Sequence, residues 1–455
     1  MVLERSLLSP NNPSSQRSDR LLDAPEHLFS SLPTATCDVA IVGAGIVGLT
    51  LACALKASGL SVMLIDANPK EAGLHQRRAY AITLMSGRIL NGLGVWSRIL
   101  PQITTFRTIR LADSTWPTVV NLKPRDLGTD ELGYVAEHCV LVQELQRQLT
   151  DMAELTWWDS AEMTGMQTMG NDVRLSVQKG GQFCSIRARL VVAADGGRSP
   201  LRHQNQIRTN GWNYWQSCVT AVIRPEKDHG NIAREHFWPS GPFATLPLPG
   251  NRCQIVLTAP HKEAQHYMDI SDEEFLALLD RRYGHQLGQL QLLTPRRQFP
   301  VRLMQSRTYV QHRLALVGDA AHCCHPVGGQ GMNLGIRDAA VLAEVITEAH
   351  RRGKDIGSIS VLKRYGRWRW WENLVILGFT DVLDRSFSNK WGPVQALRRL
   401  GLWMMQRVGL LKRLALLLMT GGLGRSPQLA QQGSRMGATR LHDSPKVDIR
   451  KGKGT

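Results

Sequence analysis

One local pattern restricts this chain more than any other. Asp38 to Val42 is a short apolar strand, and Gly43-Ala44-Gly45-Ile46-Val47-Gly48 follows it directly. A helical run from Leu49 to Ala57 ends near Gly59, and a second apolar strand, Leu60 to Ile65, closes on Asp66 and Ala67. Strand, GxGxxG, helix, strand and acid in this order form a dinucleotide-binding unit. The first glycine permits the tight turn, the second lets the backbone approach a pyrophosphate, and the third lets helix and strand pack closely. Asp66 stands where a carboxylate can accept hydrogen bonds from ribose hydroxyls. The sequence holds one GxGxxG; a reductase with two dinucleotide domains would carry a second.

Two later stretches repeat the theme of an apolar strand delivering a tight turn. Strand-like alternation through residues 172 to 192 leads into Ala194-Asp195-Gly196-Gly197-Arg198-Ser199-Pro200-Leu201-Arg202. Asp-Gly turns after strands are frequent and usually structural, so this one gains meaning only from its company. Leu314 to Val317 then stops at Gly318-Asp319, and Pro326, Gly328, Gly329 and Gly331 precede a segment of helical period that contains Met332 and Asn333. A Gly-rich loop ahead of a helix N-terminus brings backbone N–H groups close to a bound anionic group.

The chain of 455 residues is long enough for two or three domains. Its 43% hydrophobic and 20% charged residues are those of a globular protein. Eight cysteines show no CxxC pairing, which fits reduced thiols in a cytoplasmic-type compartment. No His, Cys and carboxylate spacing forms a metal site. A net charge of +17 invites nucleic acid or an anionic membrane as partner. No zinc-finger spacing or RNP-type motif supports nucleic acid, and no apolar run is long enough for a membrane span. Residues 1–35, rich in Ser, Pro and Asn, read as a disordered leader. Residues 210 to 310 read as a mostly antiparallel sheet with one clear helix, Ser271 to Tyr283, opened by a Ser271/Glu274 capping box. The acid-free segment from Ser386 to Arg425 has two readings. Either it is a helix pair covering the core through Leu414, Leu416, Leu417 and Leu418, or Arg398, Arg399, Arg407, Lys412 and Arg413 meet anionic lipid. The cluster Tyr365 to Trp371 reads as packing rather than a stacking patch for nucleic acid.

The motifs GAGIVG, ADGGRSPLR and GDAAHCCHPVGGQGMNLG stand in the order found in the FAD-dependent aromatic hydroxylases, which the chain resembles over roughly residues 38 to 420. Arg78 to Ile82 and Leu132 to Val135 resemble further segments of the ubiquinone-biosynthesis type. The resemblance implies an α/β fold with an FAD/NAD(P)-binding Rossmann-like domain, an inserted antiparallel β-sheet substrate domain and a helical C-terminal part. The expected boundaries are 36–110, 135–208 and 300–355 for the FAD-binding domain and 111–134 with 209–299 for the substrate sheet. Helices are expected at 356–424 and a disordered basic tail at 425–455.

Carried over residue by residue, the resemblance implies FAD contacts from Gly43, Ala44, Gly45, Ile46, Val47 and Gly48 at the pyrophosphate, and from Asp66 and Ala67 at the adenosine ribose. Arg78 is implied near the pyrophosphate or the nicotinamide route, and Asp195 and Gly196 near both FAD and NAD(P)H. Gly318 and Asp319 are implied at the ribityl chain, and Pro326, Gly328, Gly329, Gly331, Met332 and Asn333 along the flavin. NAD(P)H serves as co-substrate, and a flavin C4a-hydroperoxide hydroxylates an electron-rich ring, a polyprenylated phenol on the way to an isoprenoid quinone. No side chain is assigned as acid, base or nucleophile. His138 departs from the Asn or Arg of relatives. His322 and His325 are expected to be structural, and Cys323-Cys324 reads as packed thiols before a redox pair. Two other functions stay open: a prenyl-chain reductase of the same fold, and a non-catalytic flavin-binding subunit of a quinone-biosynthesis complex. The expected location is cytoplasmic, with or without peripheral contact at a membrane.

Overall fold

A computed structural model of the chain describes residues 34–389 and 391–434. Of the leader expected at 1–35, residues 1–33 lie outside the described residues, as does the tail from 435, but Thr34 and Ala35 already belong to the first strand, where they pair with Ser185 and Ile186. The dinucleotide unit forms as read. Thr34–Val42, helix Ile46–Leu55 and Val62–Ile65 build the centre of a parallel sheet, flanked by Gln182–Ala193 with Leu314–Leu316 on one side and Leu155–Trp158 on the other. These strands are continuous apolar runs because both faces are covered, and Val39 to Ile41 and Leu64 to Ile65 are fully buried. Helix Ile46–Leu55 packs between helices Gly331–Arg351 and His138–Leu149. The latter buries the stripe Leu141, Leu145 and Leu149 expected from its period.

The second layer is a nine-stranded sheet, antiparallel except where Ile232–Trp238 pairs in parallel with Thr108–Asp113. Its axis is the 17-residue strand Thr209–Pro225. That strand pairs with Arg252–Pro260 on one edge and Arg297–Ser306 on the other. This corrects the boundary expected at 299/300. Segment Arg297–Ser306 belongs to the substrate sheet because the long strand offers it an edge, and the chain rejoins the first sheet at Val310–Gln311, which pairs with Leu314–Leu316. The sheet also starts earlier than residue 111, at Thr108. Helix Asp272–Tyr283 opens with the capping box, Ser271 Oγ accepting from Glu274 N–H at 3.1 Å and Glu274 Oε2 from Ser271 N–H at 3.0 Å. A second helix, His261–Asp269, precedes it. A small sheet of Ala79–Thr83, Gly133–Glu137 and Thr104–Phe106 sits at the seam between the two layers.

Helices Ile359–Phe387, Gly392–Arg407 and Gly409–Met419 follow, and a further helical segment begins at 428 among the described residues. The first buries Tyr365 and Arg369 of the Tyr365 to Trp371 cluster, whereas Trp371 is exposed. The tail is also corrected in its first part. Ala430 is buried, and Asn91 Nδ2 donates to Gly433 O at 2.7 Å. A side chain at Gly433 would collide with the Arg88 carbonyl, so glycine permits this close approach to helix Leu84–Gly92.

Candidate active site

Four sequence-predicted turns meet at the carboxyl edge of the parallel sheet, where open α/β sheets place their ligands. Gly43 follows Thr34–Val42, Asp66 ends Val62–Ile65, Asp195-Gly196 follows Gln182–Ala193, and Gly318-Asp319 follows Leu314–Leu316. The three motif glycines differ in physical role. A Cβ on Gly43 would lie 2.3 Å from the Ala194 carbonyl, and one on Gly48 would lie 1.9 Å from the Gly43 carbonyl. A Cβ on Gly45 would meet nothing within 4 Å. Gly43 and Gly48 therefore serve close packing, and the space beside Gly45 is open to a ligand. Ile46 is core and Val47 packs against Gly318, so only their backbones can face a cofactor. Asp66 Oδ2 accepts from Ala44 N–H at 2.6 Å and Oδ1 from Asn68 N–H at 2.8 Å. A carboxylate has lone pairs beyond those two bonds. Ala67 beside it is exposed.

Arg202 joins two of the turns, a role the sequence did not disclose. Fully buried, it donates from Nη1 to Ala320 O and from Nη2 to Gly197 O, each at 2.8 Å. A second buried network lies behind Gly318. Asp338 accepts from Gly318 N–H at 3.1 Å and from Arg369 Nε at 2.7 Å, and pairs with His322 Nε2 at 2.5 Å. Burial pushes the Asp338 carboxyl up, but His322 and Arg369 outweigh it and hold its pKa down to about 2. Asp338 and Arg369 stand 31 positions apart. Only the docking of helix Ile359–Phe387 on Gly331–Arg351 brings them together.

The Gly-rich loop is held from both ends. Gly328 and Gly329 take left-handed φ values of 71° and 61°. Buried Asn333 donates to Ala81 O and Gly329 O at 2.8 Å each, and accepts from Thr83 N–H at 2.9 Å. Its side chain is thus occupied in fastening the loop to strand Ala79–Thr83, leaving its backbone to face a ligand. His325 is fully buried, its Nδ1 accepting from Val327 N–H at 3.2 Å. Burial lowers its pKa to about 3, so it is a neutral structural group, while His322 is held in its buried pair with Asp338. His138 is likewise depressed to about 4 by burial, with Arg78 adding to the effect, and lies 3.3 Å from the Tyr80 hydroxyl.

Below the loop lies a cavity of about 1060 Å³. Arg78, Asp319, Pro326, Gly328, Gly329, Gly331 and Met332 line it, together with Phe387, Leu397, Leu402, Met405 and Met419 from the C-terminal helices. The Arg78 guanidinium stands 4.8 Å over the Phe299 ring. Asp319 is exposed to this cavity, and its carboxylate meets no hydrogen-bond donor among the described residues. Burial raises its pKa, with His322 and Arg78 opposing. Burial also raises Asp195, whose Oδ1 is buried without a partner. Cys323 and Cys324 line the cavity unbridged. Burial, reinforced by Asp319, pushes Cys323 up to about 12 and Cys324 higher still, so both are protonated thiols. One further acid reaches the cavity. Glu235, on Ile232–Trp238, faces the Gly328 N–H, and burial pushes it up to about 8. In the sequence it is visible only as one acid on the Ala233, Glu235, Phe237 face of a strand.

These features fit FAD. The N-termini of helices Ile46–Leu55 and Gly331–Arg351 carry no side-chain cap and no acid in the first turn, so their N–H groups and dipoles are free for anionic groups. The buried, unpartnered Oδ1 of Asp195 needs a donor and the cavity-facing Asp319 carboxylate is open to one, and a polyhydroxylated cofactor supplies both. The comparison with known proteins decides the matter, since the FAD binding domain family matches residues 36–369. The chain belongs to this FAD-binding family of aromatic hydroxylases. It is 39% identical to the ubiquinone hydroxylase UbiL of Rhodospirillum rubrum over 394 residues, covering 86% of this chain and 91% of that one. It is 34% identical to the 3-demethoxyubiquinol 3-hydroxylase of Escherichia coli, covering 83% and 97%. An uncharacterised protein of Synechocystis is 49% identical over 86% and 95%. Among solved structures, p-nitrophenol 4-monooxygenase PnpA of Pseudomonas putida shares the fold at a TM-score of 0.74 and 19% identity, over 87% of this chain and all of that one.

Proposed function

We propose that this flavoprotein uses NAD(P)H and O2 to hydroxylate the ring of a polyprenylated phenol in isoprenoid-quinone biosynthesis. The observation that carries this reading is the cavity. It is larger than most small-molecule sites, and it is lined both by the Gly-rich loop and by apolar side chains of helices Gly392–Arg407 and Gly409–Met419. A ring beside the loop would have room for an isoprenoid chain beside those helices.

Bound at the carboxyl edge, FAD supplies electron transfer from NAD(P)H and activation of O2. The protein's share is placement. Gly43, Ala44, Gly45 and Gly48 with the N–H groups of Ile46 and Val47 would hold the pyrophosphate, Asp66 beside Ala67 the ribose, and Asp319 the ribityl hydroxyls. The backbone from Gly328 to Asn333 would lie along the ring, where the dipole of the following helix favours negative charge. Arg78, Asp195 and Gly196 border the route for the nicotinamide. Apolar walls would keep water from the reacting centre.

The second half of the proposal concerns the membrane. No helix among the described residues is long and apolar enough to cross one. Trp391, just ahead of helix Gly392–Arg407, is 67% exposed, and Leu397 and Leu410 on helices Gly392–Arg407 and Gly409–Met419 are 70% and 65% exposed. Arg407 stacks 4.3 Å over Trp403 and Arg399 4.6 Å over Trp116, with Lys412 and Arg413 nearby in sequence. Exposed aliphatics flanked by tryptophan and cations suit an anionic lipid interface. Arg398 does not join them, because it is buried in an ion pair with Asp113 at 2.8 Å.

Two assays test the proposal. The holoenzyme should consume NAD(P)H and O2 and release a hydroxylated product from a short-chain 2-prenylphenol. Reduction of a prenyl chain without O2 uptake would favour the reductase reading, and flavin that stays oxidised under NAD(P)H and phenol would favour the accessory subunit. Vesicles of phosphatidylcholine with phosphatidylglycerol should bind the protein, and Leu397→Asp with Leu410→Asp should release it. Equal binding by the variant would remove the membrane half.

A further inference from the structure

The hydroxylation reading leaves the proton of the ring hydroxyl without a named acceptor. An electron-rich ring attacks an electrophilic oxygen far better as phenolate than as phenol, so the site needs a base. Two carboxylates, Asp319 and Glu235, line the cavity among the described residues. Asp319 belongs to the turn at the sheet edge. Glu235 lies on strand Ile232–Trp238, on the same face as Ala233 and Phe237, which also line the cavity.

We infer that Glu235 is the catalytic base of this site and takes the proton from the substrate's ring hydroxyl. Its Oε1 is buried and has no hydrogen-bond partner, an arrangement that costs free energy unless a ligand supplies the missing donor. Its carboxyl also faces the Gly328 N–H, so the acid stands beside the loop that would line the flavin. In the neighbouring strands the paired residues are Ala244 and Leu111, neither of them charged. The Cys218 thiol feels Glu235 through space, and no cation contributes to the environment of the carboxyl. Burial, opposed by the Gly328 N–H, therefore places its titration in the range suited to proton transfer near neutral pH. In the step, the phenol O–H bond breaks and the proton passes to Oε1. The electron pair stays on the ring oxygen, and the carboxyl becomes neutral. The proton returns to the ring oxygen when the product leaves as a phenol.

This inference rests on the hydroxylation reading, and the test separates the two. With a short-chain 2-prenylphenol, kcat/KM of the holoenzyme should rise with pH through a limb near pKa about 8. Glu235→Gln, close in shape, should keep its FAD, lower turnover roughly 10²-fold and lose the limb. Glu235→Asp should keep the limb at reduced rate. An infrared titration of the oxidised holoenzyme gives a readout apart from turnover: a protonated-carboxyl band that fades across the same pH range in the wild type and is missing from Glu235→Gln. Retention of the wild-type rate and limb by Glu235→Gln, or no such band in the wild type, overturns the inference while hydroxylation stands. A holoenzyme that hydroxylates no phenol at any pH overturns the hydroxylation reading and this inference with it.

Discussion

Replacing Asn333 by alanine should detach the Gly-rich loop from strand Ala79–Thr83. The side chain makes three short bonds, two as donor to Ala81 O and Gly329 O and one as acceptor from Thr83 N–H. Asn333 is 2% exposed, so water cannot readily replace it. A typical internal hydrogen bond contributes about 1 kcal/mol net, so three sum to about 3 kcal/mol. FAD bound to the variant would have to re-form the loop from a loosened state, and about 3 kcal/mol is a factor of roughly 10² in Kd. The assay is titration of apoprotein with FAD, followed by quenching of flavin fluorescence. Gln102→Ala is the control, since its bonds to Arg98 O and Glu144 lie outside the cavity lining. An Asn333→Ala protein that binds FAD within about threefold of wild type would refute the fastening role.

The buried network behind Gly318 carries a second prediction. Asp338→Asn leaves Arg369 and His322 short of their anion, and breaking a buried pair costs about 3–5 kcal/mol, measurable by urea unfolding. Because the folded Asp338 pKa is depressed to about 2, its stabilisation is present above the unfolded carboxylate value of about 4 and is lost as pH falls from there towards 2. The variant should lose that part of the acid slope; an identical slope would count against the pairing. Arg398→Ala should leave Asp113 as a buried unpaired acid and loosen helix Gly392–Arg407. Hydrogen exchange over residues 392–407 should then accelerate, and unchanged protection would contradict the ion pair's role in seating the helix.

The parts of the fold visible in the sequence are those set by local chemistry. GAGIVG needs its glycines for contacts within a few residues and across one strand, so the unit from Thr34 to Asp66 formed as read. The same holds for the Ser271 cap and the Leu141, Leu145, Leu149 stripe. Contacts between distant segments were not visible. Arg297–Ser306 reads like any strand, and nothing local says that it completes the substrate sheet instead of returning to the nucleotide domain. Arg398 looked like a surface cation in an acid-free run, but its partner, Asp113, stands far earlier in the chain. Arg202, Asp338 and Glu235 are ordinary charged residues in sequence, and burial beside particular turns gives them their roles. The three ordered motifs disclosed the cofactor because each marks the end of a strand, and parallel strands bring their ends to one edge.

The central claim, that the turn at Gly318-Asp319 receives FAD, is tested most directly by the flavin content of Asp319→Ala. Burial raises the pKa of this carboxyl, and it meets no donor among the described residues. Removing it should leave the apoprotein at least as stable as wild type by thermal melting, while purified protein should carry little FAD. Stoichiometric FAD in correctly folded Asp319→Ala protein would contradict the account.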